Sequence, residues 1–127
     1  MAEEVTLPDG PAAAGFARRA MARAAELWLL DREMTETALL LVSELATNAI
    51  RHGSPPVRLS LRLHDDRLRV EVTDSSPTLP QVGHPGPDQT GGRGLQIVQQ
   101  LAARWGSSAS RSRLGKTVWF ELSSMLR

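Results

Sequence analysis

The sequence contains no cysteine, which excludes disulfides, thiolate metal sites, thiol nucleophiles and redox chemistry run by protein thiols. It contains a single lysine, Lys116, so the rest of its 15 basic residues are arginines and any lysine-dependent site has one place to be. An excess of charge is missing too. Lys+Arg 15 stand against Asp+Glu 14, a net of +1, and this balance gives no footprint for direct nucleic-acid or membrane binding. Long hydrophobic runs are absent: Ala38-Leu39-Leu40-Leu41-Val42 falls far short of the ~20 residues that span a bilayer. The acidic opening Met1-Ala2-Glu3-Glu4 is followed by no apolar segment of a secretory signal. A cytoplasmic protein is the expectation. With 127 residues, 41% of them hydrophobic, the chain fits one compact domain, expected to run over 1–127.

What is present is regular patterning broken by one long irregular stretch. Val5-Thr6-Leu7 reads as a short strand closed by Pro8-Asp9-Gly10-Pro11. From Ala12 to Leu30 the spacing predicts a helix, with Phe16, Ala20, Leu27 and Leu30 apolar and Arg18, Arg19, Arg23 and Glu26 between them. A second helix is predicted from near Thr35 to Arg51, with Leu39, Val42, Leu45, Ala46, Ala49 and Ile50 on one side and Gly53 ending it. Val57, Leu59, Leu61 and Leu63 then alternate with polar residues, and Leu68, Val70 and Val72 repeat the pattern beyond Asp65-Asp66, which predicts a β-hairpin over 57–73. The next segment is rich in proline and glycine, and a mobile, functional lid loop is expected at about 75–91. Leu95, Val98, Leu101, Ala102 and Trp105 resume helical spacing after Gly94. Ser108 to Leu114, a Gly115-Lys116 turn and Thr117 to Leu122 read as a second hairpin. This order predicts an α+β fold: a two-layer sandwich with helices on one face of a mixed, mostly antiparallel sheet.

Three places could carry chemistry. Glu44 and Asn48 stand at i and i+4 and project from neighbouring positions of one helix. A carboxylate that activates a hydroxyl beside an amide oxygen that ligates Mg²⁺ is minimal equipment for phosphoryl transfer; the plainer alternative is a solvated helix face, extended by His52. Asp74 ends a strand and opens the long loop, where it can accept a hydrogen bond from an exocyclic amine or simply start an Asx-turn. Gly91-Gly92-Arg93-Gly94 leads into a helix whose first N–H groups are unpaired, which suits a phosphate as well as it suits a flexible joint. Gly115-Lys116-Thr117 matches the end of a P-loop, but Ser110 stands where that pattern needs glycine and the segment enters a strand-like run, so a P-loop is excluded. His52, His64 and His84 lack metal-ligand spacing, and no nucleophile motif is present.

Taken in order, Glu44 to His52, Asp74, Gly92-Arg93-Gly94 and Gly115-Lys116-Thr117 resemble the GHKL ATPases, which share the Bergerat ATP-binding fold. The small size and Glu44-x-x-x-Asn48-Ala49-x-x-His52 look most like the anti-sigma-factor serine kinases and short actinobacterial regulators related to them. The resemblance implies ATP and Mg²⁺ as cofactors, Glu44 as general base and Asn48 as Mg²⁺ ligand. It implies Asp74 as receiver of the adenine amino group, Gly92, Arg93 and Gly94 along the phosphates, and Thr117 near the adenine pocket. Arg18, in Phe16-Ala17-Arg18, resembles an arginine that meets the phosphorylated partner. The implied partners are an anti-sigma antagonist and a sigma factor, with homodimerisation. The implied activity is transfer of the ATP γ-phosphate to a serine. One departure stands out: the family's D-x-G-x-G adenine box is Asp74-Ser75-Ser76-Pro77-Thr78 here, without either glycine. It motivates an alternative, a partner-sequestering module of the same fold with weak or no catalysis.

Overall fold

The computed structural model describes residues 1–76, 90–109 and 115–123, except for the side chains of 90–94. The elements run β1 (Ala2–Leu7), α1 (Ala12–Leu27), α2 (Arg32–His52), β2 (Val57–His64), β3 (Arg67–Asp74), α3 (Thr90–Leu101), β4 (Arg104–Ala109) and β5 (Lys116–Ser123). The strands form one sheet in the order β1-β2-β3-β5-β4. All its described pairings are antiparallel, and no parallel pair occurs among the described residues. The expected two-layer α+β sandwich is therefore present. The lid expected at about 75–91 lies mostly outside the described residues.

The period-two alternation read from the sequence becomes the inner face of the sheet. Val57, Leu59 and Leu61 of β2, Leu68, Val70 and Val72 of β3, and Val118, Phe120 and Leu122 of β5 are all buried in one apolar cluster with the helices. Asp65 takes the left-handed conformation, φ 57°, in the tight turn between β2 and β3, which aspartate tolerates better than most residues. Helix α1 packs against α2, β1 and β2, and its buried stripe is largely alanine: Ala13, Ala17, Ala20, Ala24 and Ala25, with Met21 as the large member.

Helix ends depart from the sequence reading for local reasons. α1 stops at Leu27, which is 63% exposed and contributes nothing to the buried stripe it was expected to join. Beyond it, Leu29 N–H donates to the Glu26 carbonyl at 3.4 Å and Leu30 N–H to that of Ala25 at 3.0 Å. This is the Schellman pattern, with Leu29 at φ 56° in the place glycine usually takes. α2 starts earlier than Thr35 because Asp31 caps it, its Oδ1 accepting from Met34 N–H at 2.8 Å. Trp105 was expected on the third helix and lies in β4 instead. The hand-over is visible in two bonds: Ala102 N–H still reaches the Val98 carbonyl at 2.9 Å, whereas Ala103 N–H reaches Glu121 on β5 at 2.9 Å. β4 thus begins before the expected Ser108, and Lys116 is the first residue of β5 rather than part of a turn.

The outer face of the sheet is held by charge. Arg69 Nε donates to Glu71 Oε2 at 2.7 Å and Nη1 to Glu121 Oε2 at 2.8 Å, and the guanidinium lies over the Trp119 ring at 4.0 Å. Burial alone would lower the Arg69 pKa, but its hydrogen bonds and charge contacts with Glu71 and Glu121 outweigh that and leave it raised. The Trp119 ring covers Gly106, its cross-strand partner, where a Cβ would come within 2.8 Å of it.

Candidate functional site

The C-terminal half of α2 carries Glu44 and Asn48 on successive turns. Glu44 is half-buried and Asn48 is buried, 5% exposed, and neither side chain forms a hydrogen bond or ion pair among the described residues. Among the described residues the buried side-chain atom left without a hydrogen bond is Glu121 Oε1, so the unpartnered amide atoms of Asn48 are reached by solvent and stand open beside the Glu44 carboxylate. α3 packs alongside α2. Gly91, Gly92, Arg93 and Gly94 lie within the opening of α3, which begins at Thr90, and not before the helix as expected. The first N–H groups of a helix have no intrahelical acceptor and favour an anion. The Arg93 side chain lies outside the described residues. Arg18 is exposed on α1, where its Nη1 donates to Ser43 Oγ at 3.5 Å, next in sequence to Glu44.

The far end of α2 meets the sheet where β3 ends and β5 begins. Asp74 and Lys116 are register partners across these antiparallel strands, and both side chains are 2% exposed. Lys116 Nζ stands 3.7 Å from Asp74 Oδ2 and donates to the His52 carbonyl at 3.5 Å, at the last turn of α2. Asp74 Oδ1 accepts the Ser76 N–H at 2.6 Å, the Asx-turn foreseen as the plainer role for this residue. Ser75 N–H reaches the Ser54 carbonyl at 2.8 Å. Gly53 lets the helix end come this close, because a Cβ there would collide with the Asp74 carboxylate and stand 2.6 Å from the Ala49 carbonyl oxygen.

Thr117 is not part of this cluster. It pairs with Thr73, hydroxyl to hydroxyl at 2.8 Å, and strand alternation puts both on the face opposite Asp74 and Lys116. The residue the motif reading passed over is Lys116. Its signal was present: Lys116, Val118, Phe120 and Leu122 alternate, which places the lysine on the buried face. Among the described residues no cluster of histidine, aspartate and glutamate could hold a metal ion by itself, and no helix is long and apolar enough to cross a membrane.

A layer of three helices on a five-stranded antiparallel sheet defines a two-layer α+β domain. The profile of the histidine kinase-like ATPase domain matches residues 7–122, and the chain belongs to that family. Fourteen chains of known structure match it. One is the crystal structure of the RsbU and RsbW domains of Rv1364c from Mycobacterium tuberculosis, with a TM-score of 0.74 and 18% identity over 97% of this chain. This chain spans 32% of the length of that one. No curated protein matches the sequence. The GHKL resemblance read from the motifs holds for family and fold, and the family supports ATP binding.

The donor set fits ATP at one end. The open Glu44 and Asn48 and the glycine-rich start of α3 suit phosphates and their cation. At the base end both Asp74 oxygens already have partners within the chain.

Proposed function

We propose that this domain is an ATP- and Mg²⁺-dependent protein serine kinase of the anti-sigma type. It phosphorylates a serine of an anti-sigma antagonist and controls a sigma factor by binding. The observation that carries this reading is the unpartnered Glu44 carboxylate one turn from the unpartnered, solvent-reached amide of Asn48, a residue otherwise only 5% exposed.

Mg²⁺-bound ATP, when present, supplies the phosphoryl group and neutralises charge that develops on it. Glu44 orients the acceptor hydroxyl and takes its proton. Asn48 offers its amide oxygen to the cation. Backbone N–H groups at Gly92 and Gly94, with Arg93, face the phosphates, and Asp74 receives the base. Arg18 belongs to the partner surface near Glu44. Assembly as a homodimer and a cytoplasmic location are part of the same reading.

Replacing Glu44 by Ala tests it. Phosphotransfer to a partner recovered by pull-down should fall by at least ~10²-fold while nucleotide affinity stays unchanged; wild-type turnover in this variant would overturn the role. A second reading, a partner-sequestering module with little or no catalysis, is favoured by the engagement of Asp74 with Lys116. Calorimetry separates the two, since absence of heat at millimolar ATP supports sequestration alone.

A further inference from the structure

We propose that Lys116 is an intramolecular latch on the base site: its ammonium holds the carboxylate that an adenine amino group would need, so adenine nucleotide binds only when Lys116 lets go. The inference rests on the reading of Asp74 as base acceptor and adds to it the residue that governs access.

The geometry supports displacement rather than a fixed structural tie. Asp74 Oδ1 is committed to the Ser76 N–H at 2.6 Å, which leaves Oδ2 as the acceptor available to a ligand, and that is the oxygen Lys116 faces. Both side chains are 2% exposed, so no base reaches the carboxylate while the lysine stays in place. The ammonium is nevertheless loosely held. Its two contacts, 3.7 Å to Oδ2 and 3.5 Å to the His52 carbonyl, are long beside the ~2.7–2.9 Å of a well-formed charge-assisted bond. No further partner takes its remaining donors among the described residues. The His52 carbonyl lies in the last turn of α2, the negative end of that helix, so the cation also gains from the dipole. A lysine is a point charge on a flexible stem; because the whole side chain is buried, 1% exposed, its release requires the packing between β5 and the end of α2 to open. An exocyclic amine approaching Oδ2 competes for the same lone pairs and takes over the ammonium's place.

Two measurements test the latch. In titration calorimetry with ATP and Mg²⁺, Lys116→Ser should bind at least tenfold more tightly than the wild type, and Asp74→Asn in that background should remove the gain. Equal or weaker binding by Lys116→Ser, with ATP still bound by the wild type, overturns the latch and leaves the base-acceptor reading intact. Absence of binding in both proteins overturns the two together. The second measurement uses the wild-type protein and stands if the variant fails to fold by circular dichroism. Lys116 is the chain's one lysine, so acylation by an N-hydroxysuccinimide ester can be read on a single peptide by mass spectrometry. Millimolar ATP should accelerate its modification several-fold by releasing the ammonium; an unchanged or slower rate counts against the proposal.

Discussion

Thr73 and Thr117 share a hydrogen bond of 2.8 Å on the outer face of the sheet, while their neighbours Asp74 and Lys116 pair on the inner face against the end of α2. A threonine one residue away from a buried pair is thereby a whole sheet thickness from it in function. Thr117→Val should lower stability by about 1 kcal/mol through the lost cross-strand hydroxyl contact. Nucleotide affinity should change by less than about twofold. Urea unfolding and calorimetry on the same sample check both halves.

Gly53→Ala should destabilise the protein by about 2 kcal/mol, because the added methyl meets the Ala49 carbonyl, a backbone group that cannot rotate away, as well as the Asp74 carboxylate. The backbone there is not left-handed, φ −105°, so the cost is steric alone. A thermal melt that matches the wild type would contradict this close packing of helix end on strand.

Leu29→Gly should stabilise by about 0.5–1 kcal/mol. Leu29 is 88% exposed and holds φ 56°, so removing its side chain gives up little burial and relieves the left-handed strain. The gain is reduced by the greater freedom of glycine in the unfolded chain. Denaturant midpoints of the two proteins provide the comparison.

Arg69→Met should cost about 2 kcal/mol, since Glu121, whose side chain is 10% exposed, keeps only the longer contact to Arg104 at 3.6 Å. Trp119 loses the guanidinium over its ring, and its fluorescence should shift accordingly. Arg69→Lys restores the charge without the two-pronged geometry and should recover part of the loss.

The first hairpin was legible because each of its strands has one buried face, with alternation from Val57 to Leu63 and again from Leu68 to Val72 on either side of the Asp65-Asp66 turn. The helices were legible in position but not at their ends. A leucine in a glycine's conformation ends α1 without any sequence signal, and Asp31 caps α2 a few residues ahead of the apolar spacing that marked it. β4 was misplaced because Arg104-Trp105-Gly106-Ser107-Ser108-Ala109 has no apolar alternation and Trp105 happens to continue the phase of α3. For the site, local spacing sufficed to put Glu44 and Asn48 on one helix face. The Asp74–Lys116 pair needed the β3–β5 register, a relation between segments far apart in the chain. Reading Lys116 as a turn residue hid it, although its phase with Phe120 was available.

The alanine stripe of α1 gives the core a one-sided tolerance. Ala17 is 0%, Ala20 3% and Ala24 1% exposed, so these positions have almost no side chain left to trim and only glycine lies below them. Variation there can proceed only toward larger residues, and each added carbon must move a helix rather than fill a gap. Drift that a leucine-rich interface absorbs by repacking is closed to these alanine positions, and around Met21 the inner face of α1 is left with one workable residue size.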